Sequence, residues 1–176
     1  YCGCNHKKRS GAGVLTREQF LPHEMRIVAA LRMQGASDEQ VIVRVKSENL
    51  FQYPTERMVA NRATVCLRRL DAMVPTDAVC AARGIDPKTA VEAASSLTRL
   101  MASGTPTQAD QAIFYSMICR YDIVRELVLV EVGERLQNFD YAFTAVDLNA
   151  FMTRFTTEYP DAARSTEAVS ALAFLH

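Results

Sequence analysis

The sequence predicts an all-α fold, and three observations support that prediction. Apolar residues recur three and four positions apart along most of the chain, and no sustained alternation of apolar and polar residues indicates a β-strand. Helix-start signals separate these apolar segments. The 176 residues are 49% hydrophobic, enough for one domain or two small ones that share a core. We therefore expect a compact helical bundle in which an N-terminal three-helix, helix-turn-helix-like unit packs on a second helical subdomain.

Composition and charge divide the chain into three segments. Residues 1–14 contain three basic residues, three glycines and a serine, which predict a flexible basic arm. We expect a basic three-helix unit at residues 15–74 and an acidic helical subdomain at residues 75–176, with one core shared between the two. Residues 1–73 carry 12 Lys+Arg and 7 Asp+Glu, a net charge of +5, and the remainder carries 8 and 13, a net charge of −5. The basic half can face nucleic acid or an anionic partner, or the two halves can dock on each other.

The first three helices have recognisable start signals. Pro22 stands at the first position of a helix that we expect to reach Met33, with Gly35 beyond its end. Ser37, with a glutamine three residues later, forms a capping box for the second helix. A turn follows, in which Leu50 and Phe51 are the expected anchors, and we expect the third helix at residues 54–73.

The same kinds of signal place the later helices. A short helix is expected before Gly84, a longer one at residues 86–103, another after Thr105, and a continuous or kinked one at residues 122–137. Thr144 and Asp147 form a further capping box, which predicts a final helix ahead of Pro160.

The third predicted helix has an apolar stripe and an opposite polar row. At 100° per residue, the stripe contains Val59, Ala63, Cys66, Leu70 and Met73, and the row contains Arg57, Asn61, Thr64 and Arg68. Arginine can bind phosphate or guanine, and asparagine can pair with adenine. The predicted DNA-binding residues are therefore that row, the flanking Arg62 and Arg69, and Arg44 and Lys46 of the second helix. The alternative is a solvated surface with ion pairs inside the helix.

Few residues suggest catalysis or metal binding. Cys2, Cys4 and His6 lie close together, but no second ligand pair accompanies them, so we expect an arm without metal. No nucleotide-binding or nucleophile motif is present, which predicts a non-enzymatic protein without cofactors. Five scattered cysteines favour reduced thiols and a cytoplasmic location. No apolar run approaches the roughly 18 residues of a membrane span.

Four blocks between residues 21 and 70 resemble the BrxA family of bacteriophage-exclusion (BREX) defence systems. They are residues 21–24 (Leu-Pro-His-Glu), 35–40 (Gly-Ala-Ser-Asp-Glu-Gln), 48–52 (Glu-Asn-Leu-Phe-Gln), and 54–55 (Pro-Thr) continued by Arg57, Arg62 and Arg69. Residues 105–155 agree more loosely. Residues 164–166 resemble the start of the family's last helical region, after which the sequence departs. The resemblance implies a compact helical DNA-binding protein that has no enzymatic activity and works beside other phage-defence components.

We therefore expect an accessory phage-defence protein that binds double-stranded DNA mainly through phosphate contacts. One alternative is a protein–protein adaptor whose basic helix docks an acidic partner. A weaker alternative is an enzyme that works through a cysteine or a histidine.

Overall fold

The computed structural model describes residues 20–160, so the predicted arm at residues 1–14 lies outside the described residues. Within residues 20–160 the chain contains helices and no strand, which confirms the all-α prediction. In chain order the elements are α1 (Pro22–Met33), α2 (Asp38–Ser47), α3 (Glu56–Ala72), α4 (Asp77–Arg83), α5 (Pro87–Ser103), α6 (Pro106–Arg120), α7 (Asp122–Arg125), a π-helical segment (Glu126–Val132), α8 (Gly133–Gln137) and α9 (Ala145–Glu158).

The described residues form two compact units, residues 20–120 and residues 121–160. The first unit contains α1 to α6, so a separate three-helix unit is not confirmed, and the division after residue 74 stays a prediction. The connection between α2 and α3 spans the eight residues 48–55. A helix-turn-helix usually has a turn of about three or four residues, so that likeness is not confirmed either.

The predicted start signals act as expected at α1 and α2. The bounds of α1 coincide with the prediction, and Gly35 follows with a φ of +85°, a left-handed conformation that suits glycine. At α2, the Ser37 N–H donates to Gln40 Oε1 at 2.8 Å, and the Gln40 N–H donates to Ser37 Oγ at 3.3 Å. The predicted capping box is therefore confirmed.

The third helix begins slightly later than the sequence indicated. Thr55 is its N-cap, and the Thr55 hydroxyl accepts the N–H of Met58 at 3.3 Å. Pro54 therefore precedes the helix and does not open it. The five apolar residues of the predicted stripe are all buried: Val59, Ala63, Cys66, Leu70 and Met73. They belong to a core in which α3 packs against α1, α2 and α6, while α1 also packs against α5.

The second unit begins with a helix whose hydrogen bonding changes register. The expected continuous or kinked helix at residues 122–137 has α-helical ends and a π-helical middle, Glu126–Val132. Such π segments are rare and interrupt the α-helical ladder. The capping box before α9 is confirmed, because the Thr144 N–H donates to Asp147 Oδ2 at 2.8 Å and the Asp147 N–H donates to Thr144 Oγ1 at 3.4 Å.

Arg135 organises the loop between α8 and α9. Its guanidinium donates to Asp147 Oδ1 at 2.7 Å, to Asp140 Oδ2 at 2.9 Å and to the Ala142 carbonyl at 2.9 Å. Two aromatic side chains of this loop remain open to solvent: Phe139 is 79% exposed and Tyr141 is 74% exposed. The loop therefore displays aromatic rings on a backbone that an arginine holds in place.

Two further expectations concern cysteines and membrane spans. Cys66 and Cys80 are outside any disulfide, as expected, and both are buried. Cys119 is disulfide-bonded, which corrects the expectation of a reduced thiol at that position. Within residues 20–160, no helix is long and apolar enough to cross a membrane.

Candidate nucleic-acid interface

The polar row of α3 lies on the surface opposite the buried stripe. Arg57, Asn61 and Arg68 are exposed, whereas Thr64 is half-buried. The Thr64 hydroxyl donates to the Ala60 carbonyl at 2.9 Å, one turn earlier in the same helix. The row therefore offers two guanidinium groups and one amide to solvent, with the threonine hydroxyl proton already used by the backbone.

Arg57 and Arg68 differ from most of the other predicted cations in having no internal partner. Within residues 20–160, neither guanidinium makes a hydrogen bond or an ion pair. The Asn61 amide is likewise unpaired in this part of the chain. Because no existing bond must break, an incoming phosphate can gain the full charge-assisted interaction with either arginine.

Arg44 and Lys46, on α2, already have acidic partners. Arg44 Nε lies 3.2 Å from Glu48 Oε1, and Lys46 Nζ lies 3.2 Å from Glu56 Oε2. Arg44 also donates to Gln34 Oε1 at 3.2 Å. Exposed ion pairs of this kind stabilise a protein by only about 0–1 kcal/mol, so both side chains can exchange these partners for a phosphate.

Arg62 lies on the flank of the row and is half-buried. It has an internal interaction, and its charge acts on the phenol of Tyr53, whose pKa it tends to lower. Arg62 is therefore less available to a ligand than Arg57 or Arg68.

Arg69 has a different environment from the one we expected. Its side chain is fully buried, and Nη1 donates to the Phe20 carbonyl at 3.0 Å. A guanidinium at this depth is not accessible to a DNA phosphate in this structure. The helical projection placed Arg69 on the flank of α3, but in the structure the carbonyl of Phe20 accepts a hydrogen bond from this arginine.

A hydrogen bond between half-buried Tyr53 and buried Glu24 holds the segment that leads into α3. The Tyr53 hydroxyl donates to Glu24 Oε1 at 2.5 Å, and Glu24 is buried in the first turn of α1. This hydrogen bond, together with burial, raises the pKa of the Tyr53 phenol above its ordinary value. Phe51, one of the two expected anchors, is buried and makes an edge-on contact with the Tyr53 ring at a centroid distance of 6.3 Å.

Sequence reasoning missed the Tyr53–Glu24 pair, although a signal was present. Glu24 precedes Val28 and Leu31 by four and seven positions, so it lies on the apolar stripe of α1. A carboxylate on a buried stripe needs a hydrogen-bond donor, and that requirement points to a partner elsewhere in the chain.

The first unit also contains a groove, but its lining suggests no catalytic site. An open groove of about 340 Å³ lies between α1, α3 and α5, and neither cysteine nor histidine lines it. At its edge Arg32 pairs with both Asp38 and Asp71. Burial and the nearby Asp38 charge raise the pKa of Asp71. In the part of the chain that the structure describes, no group of three or more His, Cys, Asp or Glu side chains is placed to hold a metal ion.

Comparison with known proteins gives one match. The family model described as BrxA matches residues 12–171 of this chain. No curated protein and no solved structure matches it. Because the family match spans most of the sequence, the chain belongs to the BrxA family and is a component of the BREX phage-defence systems.

Proposed function

We propose that this protein is a non-enzymatic component of its defence system that binds double-stranded DNA mainly through phosphate contacts. The observation that supports this most directly is the pair of exposed arginines on α3, Arg57 and Arg68, which have no partner among residues 20–160. Arginine side chains are common phosphate ligands because their planar fork matches the phosphate oxygens.

One neighbouring group extends this face. Lys46 pairs with the exposed carboxylate of Glu56 at the start of α3, and a phosphate oxygen can replace that carboxylate. Arg44 pairs with Glu48 and is a separate candidate contact on α2. Asn61 lies between the two free arginines along the row. Arg69 has no direct part in the proposed contact, because it is buried. The proposal needs neither a cofactor nor a metal ion.

The adaptor remains a second candidate on the same face. Free guanidinium groups can also pair with the carboxylates of an acidic protein, so the exposed row alone does not select DNA. A pull-down with the other defence components, before and after nuclease treatment, separates the two. Capture that survives the loss of DNA supports the adaptor, and capture that disappears supports a DNA bridge.

The main experiment is an anisotropy titration of a fluorescent duplex of about 30 base pairs at several salt concentrations. Each lost phosphate contact reduces the slope of log affinity against log salt by about 0.9. We expect the double variant Arg57→Ala/Arg68→Ala to reduce that slope by about 2. We also expect roughly tenfold weaker binding, the equivalent of about 0.7 kcal/mol for each exposed contact.

The matched control is Arg99→Ala, which removes an exposed arginine from α5 in the same unit. It should leave both the slope and the affinity near those of the parent. All variants should keep their melting temperature, because these side chains are exposed. If the double variant stays folded and binds the duplex as well as the parent does, α3 is not the DNA-binding face.

A further inference from the structure

The two free arginines of α3 lie on one line along the helix. Asn61, Thr64 and Arg68 follow Arg57 by four, seven and eleven positions, which places them within about 40° of it around the axis. Eleven residues rise about 16 Å, so the row has a cation at each end and polar side chains between. The row runs along the exposed face, and its charges meet no carboxylate among residues 20–160.

A helix with a polar row of this length fits the major groove of duplex DNA better than the minor groove. The major groove is about 12 Å wide and admits an α-helix, whereas the minor groove, about 6 Å wide, does not. A helix that crosses a 12 Å opening with cations about 16 Å apart can bring each cation to a different wall. The middle of the row then faces the base edges.

We propose that α3 lies in the major groove, with Arg57 and Arg68 on phosphates of opposite strands and Asn61 on a base edge. This inference rests on the proposed DNA binding and specifies how the duplex is held. Asn61 is the free hydrogen-bonding group in the middle of the row, because the Thr64 hydroxyl proton is committed to the Ala60 carbonyl. An asparagine amide pairs with N6 and N7 of adenine in this groove.

One such side chain gives weak sequence preference. A bidentate contact between an amide and adenine favours the correct base by roughly fivefold or more. Here that single contact is added to several phosphate contacts, which do not depend on the base sequence. The protein should therefore bind most duplexes and prefer those that place adenine beneath α3.

The test uses duplexes in which single ring nitrogens of adenine are replaced by carbon. 7-Deazaadenine removes the N7 acceptor from the major groove and keeps base pairing, the minor groove and the phosphates. 3-Deazaadenine removes the N3 acceptor from the minor groove and is the matched control. Both duplexes are titrated with the parent protein and with Asn61→Ala, an exposed substitution in a helix.

We expect the parent to bind the 7-deazaadenine duplex roughly fivefold more weakly than the unmodified one and to be indifferent to 3-deazaadenine. Asn61→Ala should bind all three duplexes alike, because the group that senses N7 is gone. The salt slope of Asn61→Ala should equal that of the parent, since no phosphate contact is lost.

Two results overturn the inference and leave DNA binding intact. In one, the parent binds both modified duplexes as well as the unmodified one with a normal salt slope, so that only the backbone is contacted. In the other, 3-deazaadenine weakens binding and 7-deazaadenine does not, so that the contact lies in the minor groove. Absence of binding to any duplex at low salt overturns the proposed function together with this inference.

Discussion

The Tyr53 hydroxyl donates a 2.5 Å hydrogen bond to the Glu24 carboxylate, which ties the segment before α3 to the first turn of α1. Glu24 is only 8% exposed, so little of this residue is open to water. A buried carboxylate without a donor is costly, and the pair therefore restrains the approach to α3 as well as satisfying Glu24.

We expect Tyr53→Phe to lower the free energy of unfolding by about 1–3 kcal/mol, because Glu24 loses its donor while the aromatic ring remains. Urea unfolding followed by circular dichroism measures the change. Tyr141→Phe is the matched control, since Tyr141 is exposed and has no partner among residues 20–160. Equal unfolding midpoints for Tyr53→Phe and the parent would show that the hydrogen bond contributes nothing.

The raised pKa of Tyr53 also predicts a dependence of stability on alkaline pH. The hydrogen bond to Glu24 and burial both favour the neutral phenol, so the folded pKa exceeds the unfolded one. This contribution is fully present below the unfolded pKa, about 10, and is lost as the pH rises through the folded pKa. We expect the stability difference between the parent and Tyr53→Phe to shrink above about pH 10. A difference that stays constant from pH 7 to pH 11 would contradict the assignment.

The sequence predicted the parts of the fold that depend on local chemistry. Ser37 and Gln40 cap α2 whatever surrounds them, and the stripe through Val59 and Cys66 becomes buried because helical spacing aligns it. Arg69 could not be placed in the same way. Its side chain donates to the carbonyl of Phe20, 49 residues earlier, and helical spacing carries no information about that contact.

Replacing Arg69 should lower the stability of the fold and leave DNA binding unchanged. Arg69→Ala removes a fully buried side chain and leaves the Phe20 carbonyl without this donor, which should lower the free energy of unfolding by about 2–4 kcal/mol. Thermal and urea unfolding measure the loss. At a temperature where the variant is folded, its salt slope for DNA binding should match the parent. A slope reduced by about 1 with unchanged stability would instead place Arg69 at a phosphate.

Removing the exposed ring of Phe139 should change the free energy of unfolding far less than removing the buried ring of Phe151. Phe139 is 79% exposed and Phe151 is 2% exposed. Phe139→Ala should change the free energy of unfolding by less than about 0.5 kcal/mol. Phe151→Ala should lower it by about 3–5 kcal/mol, because the substitution removes a packed ring that contacts Phe155. A large loss of stability in Phe139→Ala would show that its ring is covered in solution.

Asp147 should make the protein sensitive to acid. The Thr144 hydroxyl and backbone N–H donate to its carboxylate, and these hydrogen bonds, with the Arg135 charge, lower the pKa of Asp147. A depressed folded pKa contributes stability above the unfolded pKa, about 3.9, and that stability is lost as the pH falls through the folded pKa. Asp147→Asn should therefore unfold at lower urea concentration than the parent at pH 7. The difference between the urea midpoints of the parent and Asp147→Asn should narrow below about pH 4, where the parent's carboxylate also becomes neutral. Glu134→Gln, on exposed α8, is the charge-matched control and should show no gap at either pH. A gap for Asp147→Asn that persists unchanged at pH 3 would mean that shape, and not charge, holds this helix start together.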